Sequence, residues 1–359
     1  MRTIIYTIIS LVVLNFVFPY FIPFDTVYHN RLEYKYGQYN IQNIDVALKK
    51  IKAEIRREKL TNYGIILGDS VIYGSPGSSD HVVNAYMEEE ARRLTGDPKY
   101  RIFNLSYPAN QNGDIYVMLL KLDKLGISTD NLIINTRYAN FVPRNPGPRA
   151  VFWLYDDLRK LERSSYDKVL PQLMQDYVKP PVTMYEKTKH WLKQDVMPIL
   201  TPYANRDFFR KLMGDTGLRL LNKPIPSDAL ADSLPYFEKP NLQEYVTRDE
   251  IKKAYTDTPF DMTSNSFDIY FMDKIIDHQK NKKTLIVLTG ANQTLLKDYI
   301  DKPGYKANME SLNQYFQSKP VQYVNLEGVI SDSLFTDHTH MMPEGYRELA
   351  GILLQNYPK

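Results

Sequence analysis

Short apolar runs recur along the chain at residues 63–67, 101–105, 131–135, 284–288 and 321–326. Together they are rich in Ile and Val, which suits strands buried on both faces of a parallel sheet. Between them lie stretches with apolar residues at helical spacing. Residues 81–94 follow a Ser-Ser-Asp cluster suited to capping and end before Gly96. Residues 113–125 place Ile115, Met118, Leu119 and Leu122 on one face, and 266–280 do the same with Phe267, Phe271, Ile275 and Ile276. Residues 307–317 and 343–356 complete the set. This alternation predicts an α/β fold: a three-layer α/β/α domain on a five-stranded parallel, flavodoxin-like sheet.

The pattern has three interruptions. Residues 3–24 carry no charge, and as a helix they would reach about 33 Å, enough for a bilayer core. No small-residue cleavage site follows them. The expectation is a transmembrane signal anchor, N-terminus inside, with the rest of the chain extracytoplasmic. Residues 25–60 read as a juxtamembrane segment whose helix, 44–59, presents Ile44, Ala47, Leu48, Ile51 and Ile55. Residues 141–261 show no strand alternation and hold both tryptophans, Trp153 and Trp191. They are expected to form a mostly helical insertion that divides the sheet domain into 61–140 and 262–359.

Composition narrows the chemistry. The 45 Lys and Arg nearly balance 42 Asp and Glu, a net charge of +3, which does not suit a nucleic-acid partner. The chain has no cysteine, so thiol catalysis, disulfides and thiolate-bound metals are excluded. No His, Asp and Glu spacing suggests a metal site, and no cofactor is expected.

Sites in open α/β sheets form beyond the carboxyl ends of the strands, where strand order reverses. The first strand runs into Gly68-Asp69-Ser70, with Gly74 four residues on. A serine hydroxyl needs a base within hydrogen-bond reach, and the base needs an orienting partner. Of the 6 histidines, His338 and His340 sit in Asp337-His338-Thr339-His340, just before the last helix. Asp337 and His340 are three apart and can face one side of a turn. His338 is the other candidate base.

These motifs resemble those of the SGNH (GDSL) hydrolase superfamily. Gly68-Asp69-Ser70 with Gly74 is similar to its nucleophile block, and Asp337-x-x-His340, followed by Pro343-Glu344-Gly345-Tyr346, to its final block. The resemblance implies Ser70 as nucleophile, His340 as base and Asp337 as orienter, with the oxyanion held by the Ser70 amide. It also places Ala109 of Asn104-Leu105-Ser106-Tyr107-Pro108-Ala109-Asn110 where the family has an oxyanion-hole glycine. The third block departs: where the family has Gly-x-Asn-Asp, this chain reads Asn135-Thr136-Arg137-Tyr138-Ala139-Asn140. Asn140 or Asn135 would supply the missing amide, or Arg137 would substitute with charge. Together with the anchor, the likeness implies an extracytoplasmic serine esterase or O-acyltransferase, O-acetyl first. Its substrate would be an envelope polysaccharide or exopolysaccharide, and its partner a multi-span acyl-transfer protein. The alternatives are a non-catalytic scaffold of a polysaccharide complex, or a lipid or short-chain ester hydrolase.

Overall fold

A computed structural model describes residues 2–34, 43–144 and 147–357. The chain divides into two compact units. The larger comprises residues 60–177 and 228–359; the smaller comprises 1–59 and 178–227.

The larger unit contains β1 (Tyr63–Leu67), β2 (Arg101–Asn104), β3 (Asn131–Arg137), β4 (Lys283–Thr289) and β5 (Gln322–Asn325). All pair in parallel, in the order β2-β1-β3-β4-β5. Ile65 lies opposite both Phe103 and Leu132, and Ile133 lies opposite Leu285, so apolar rows run across the sheet. The central strands are buried on both faces, which explains their apolar stretches Ile65–Leu67, Leu132–Ile134 and Leu285–Leu288. Helices α1 (Val83–Thr95), α2 (Asn112–Leu125), α3 (Phe267–His278), α4 (Pro303–Gln317) and α5 (Pro343–Asn356) connect or follow them.

Strand alternation sorts these helices. Ile66, Ile133, Leu285 and Val287 pack with Val83 and Met87 of α1 and with Tyr346, Leu349 and Leu353 of α5. Thr136 projects to the opposite face, where its hydroxyl meets the Asn112 side chain of α2 at 3.3 Å. Ser78, Ser79 and Asp80 do not cap α1. Ser79–His81 instead forms a separate 3-10 turn, whose Ser79 amide donates to the Asp228 carboxylate.

The expected insertion is divided. Residues 141–177 and 228–261 belong to the sheet unit, while 178–227 cluster with the N-terminal 59 residues. Asp114 explains part of this. Its buried carboxylate accepts the amides of Gln111, Phe152, Trp153 and Leu154 at 2.8–3.0 Å, which clamps the chain after β3 onto the start of α2.

In the smaller unit the apolar run forms a 16-residue helix, Arg2–Val17, and then a 3-10 turn at Phe18–Phe21. This corrects the continuous helix expected over 3–24. Pro19 lacks an amide hydrogen and its ring clashes with a helical carbonyl, so the helix cannot pass through it. The carbonyls of Pro19, which also accepts the Ile22 amide, and of Ile22 accept the Lys50 ammonium at 2.8 and 2.6 Å, from the helix Asn43–Glu58. Among the described residues no helix is long and apolar enough to cross a membrane.

Candidate functional site

The stretch Gly68–Gly74 is built for a sharp turn at the carboxyl end of β1. A Cβ on Gly68 would lie 2.5 Å from an Ile72 methyl and 2.8 Å from the Asn135 Cβ, so only glycine fits. Asp69 caps the following short helix, Ser70–Tyr73: its Oδ1 accepts the Val71 amide at 2.9 Å. Gly74 ends that helix at φ +88°, the left-handed region that glycine adopts without strain. Tyr346 of α5 reaches back to donate to the Ser75 carbonyl at 2.6 Å. Ser70 is thus held, half-buried, on the rim where β2 and β3 diverge to opposite sides of β1.

The last loop meets it there. His340 Nε2 lies 2.8 Å from Ser70 Oγ, and His340 Nδ1 lies 2.8 Å from Asp337 Oδ2. The other Asp337 oxygen accepts the amides of Thr339 at 2.8 Å and His340 at 2.7 Å. A bridge between Phe335 and Met341 closes the turn, and Asn292, after β4, donates its amide to the His338 carbonyl at 3.0 Å. Burial alone would raise the Asp337 pKa. The adjacent His340, the nearby His338 and the His340 amide overcome it and hold the carboxyl well below its usual range.

His338 does not reach the serine through any hydrogen bond. It packs between the rings of Tyr245 and Tyr255, and its buried Nδ1 has no hydrogen-bond partner; Asp337 Oδ1 is 3.7 Å away. Burial, with the neighbouring His340 and Arg137, pushes its imidazole down to about 4, against the pull of Asp337.

The loop after β2 folds over Gly68, whose carbonyl accepts the Tyr107 amide at 3.2 Å and the Asn110 side chain at 3.1 Å. This fixes Ala109 at φ +65°, a left-handed conformation where a methyl side chain is strained. The backbone amides of Ser70 and Ala109 make no hydrogen bond to any described residue.

The loop after β3 uses its two asparagines differently. Asn135 uses both amide hydrogens, on Thr289 Oγ1 at 2.8 Å and the Thr136 carbonyl at 3.2 Å, leaving none for an oxyanion. Asn140 turns its Oδ1 to the Arg137 amide at 3.0 Å, which folds the 3-10 turn Tyr138–Asn140. Arg137 sends its Nε to the Asp69 carboxylate, on the residue preceding Ser70. The sequence placed Asp69 in the motif and Arg137 in the departing block, but nothing local connected them. Tyr245 and Tyr255 carried no signal at all. Among the described residues no three His, Asp or Glu side chains are grouped to hold a metal ion.

Chemically, the arrangement pairs a hydroxyl with an imidazole and an anchored carboxylate. No family model matches this chain, and no curated protein matches it significantly.

Proposed function

We propose that this chain is an SGNH-type serine esterase or O-acyltransferase, acting through an acyl-enzyme on Ser70. The observation that carries the reading is the continuous hydrogen-bond chain from Ser70 through His340 to Asp337 at the carboxyl rim of the parallel sheet. His340 takes the Ser70 proton as the oxygen attacks an ester carbonyl. Asp337 holds the imidazole in the tautomer that leaves Nε2 free to accept. The developing oxyanion sits on the Ser70 and Ala109 amides. A preorganised donor of this kind typically contributes about 10²- to 10³-fold in rate. His340 then returns the proton to the leaving alcohol. Water or a sugar hydroxyl, activated by the same imidazole, releases the acyl group.

The substrate class is an O-acetylated cell-envelope polysaccharide or exopolysaccharide, with acyl groups supplied or removed beside a multi-span acyl-transfer protein. The helix Arg2–Val17 supports placement at a membrane. It exposes Ile5, Tyr6, Ile9, Leu11, Val12, Val13, Leu14 and Phe16, which lie all round its axis. Such a helix belongs in lipid or protein rather than water.

The test is labelling of the purified chain with a fluorophosphonate, together with acetyl-ester hydrolysis with and without an oligosaccharide acceptor. Stoichiometric labelling at Ser70 is expected, abolished by Ser70→Ala. Acetyl transfer outpacing hydrolysis identifies a transferase; hydrolysis alone identifies an esterase. No label on Ser70 and no turnover would remove the reading.

A further inference from the structure

Charge is divided unevenly between the two units. The smaller unit holds 18 Lys and Arg against 9 Asp and Glu, a net of +9, while the larger holds 27 against 33, a net of −6. A nearly neutral chain therefore contains a strongly basic module.

The same module displays exposed apolar side chains. The helix Met184–Trp191 has no buried residue. Met184 is 80% exposed, Tyr185 73% and Trp191 55%. Successive helical residues turn by about 100°, so Met184, Tyr185, Thr188 and Trp191 fall in one arc of roughly 120°. Lys187 and Lys189 flank that arc on its two sides, with Lys189 reaching over the Tyr185 ring. The one acidic residue, Glu186, is committed to the helix start, where it accepts the Val182 and Thr183 amides at 2.9 Å. The chain continues through exposed Leu192, Ile199 and Leu200. Ile199 also lines a cavity of about 580 Å³ beside Tyr20, Lys49 and Lys50.

An apolar face with Trp and Tyr, flanked by lysines on a short exposed helix, is the arrangement that lies flat in a bilayer interface. Lysine stems extend along the apolar surface and place their ammonium groups at phosphate level. We infer that the smaller unit carries a second membrane contact besides the helix Arg2–Val17, in which the segment 184–200 seats on anionic phospholipid. The occupant is a lipid surface, because the module's net charge complements anionic headgroups and its exposed aromatics suit the interface. This inference does not depend on the chemistry proposed for Ser70.

The full chain is reconstituted into vesicles of phosphatidylcholine, or of equal parts phosphatidylcholine and phosphatidylglycerol, with and without brominated acyl chains. Trp191 emission is taken as the difference between the wild type and Trp191→Phe. In the anionic vesicles bromine is expected to cut that emission about twofold, and in phosphatidylcholine alone to leave it unchanged. A lysine near an anionic surface contributes roughly fivefold to binding, so Lys187→Gln/Lys189→Gln lowers the seated-to-free ratio roughly 25-fold. A measurement needing no variant is hydrogen exchange of residues 184–200, expected to slow only in the anionic vesicles. Quenching and protection equal in both vesicle types, or absent from both, overturn the inference. The first would mean apolar anchoring without lipid selection, and the second that this surface faces another protein or solvent.

Discussion

The Arg137 guanidinium donates its Nε–H to the Asp69 carboxylate, joining the carboxyl end of β3 to the residue before Ser70. Asp69 is 2% exposed and also caps the Ser70 helix, so its charge is compensated from two directions. Removing one partner of such a pair leaves an uncompensated buried charge, which costs about 3 kcal/mol or more. Arg137→Ala is therefore expected to lower stability by about 3 kcal/mol in urea unfolding, and Arg137→Lys by less. Loss below 1 kcal/mol for Arg137→Ala would show that the pair does not hold the turn.

Ala109 sits at φ +65°, where a Cβ costs roughly 1–2 kcal/mol. Glycine removes that strain but adds freedom to the unfolded chain, a loss of about 0.4–1 kcal/mol. Ala109→Gly should stabilise the protein by up to about 1.6 kcal/mol with ester hydrolysis retained, because the amide donor is unchanged. Ala109→Val should lose both. A lower urea midpoint for the glycine variant would contradict the strain.

The proposed chemistry makes Ser70, His340 and Asp337 one unit, whose members are not additive. Ser70→Ala and Asp337→Asn should each lower kcat for acetyl-ester hydrolysis at least about 10³-fold, and the double variant should fall little further. An Asp337→Asn enzyme with near-normal kcat would mean that the carboxylate does not orient His340.

His338 predicts a pH signature. In the unfolded chain a histidine takes up its proton near pH 6.5; in the folded chain burial pushes His338 down to about 4. Between those values only the unfolded state binds the proton, so stability falls as pH drops from about 6.5 to about 4, by up to roughly 3 kcal/mol. Asp337 acts in the same direction at lower pH: its depressed carboxyl favours the fold above the usual carboxylate pKa, and that contribution fades as pH falls further. Urea midpoints at pH 7 and pH 4.5 check this. The wild type should lose clearly more on acidification than His338→Gln, and equal losses would reject the assignment to His338.

Much of the fold was legible along the chain. The five apolar runs became five parallel strands, with ends displaced by at most two residues, because the middles of the central strands are buried on both faces and carry apolar side chains there. Gly68-Asp69-Ser70 and Asp337-x-x-His340 were legible for a similar reason: each is a compact turn whose cap, glycine or hydrogen bonds lie within a few residues. The N-terminal run misled because hydropathy counts side chains, whereas Pro19 ends the helix through the backbone.

What the sequence by itself determined is what neighbouring residues enforce: the strands, the helices, and the two turns that carry Ser70 and His340. Only the tertiary structure decided that those turns meet across 270 positions, that Asn135 is spent on Thr289, and that Arg137 closes on Asp69. It also decided that residues 178–227 leave the sheet unit for the N-terminal segment. Such pairings depend on which distant surfaces exclude water and compensate charge together, and no local period along the chain records that.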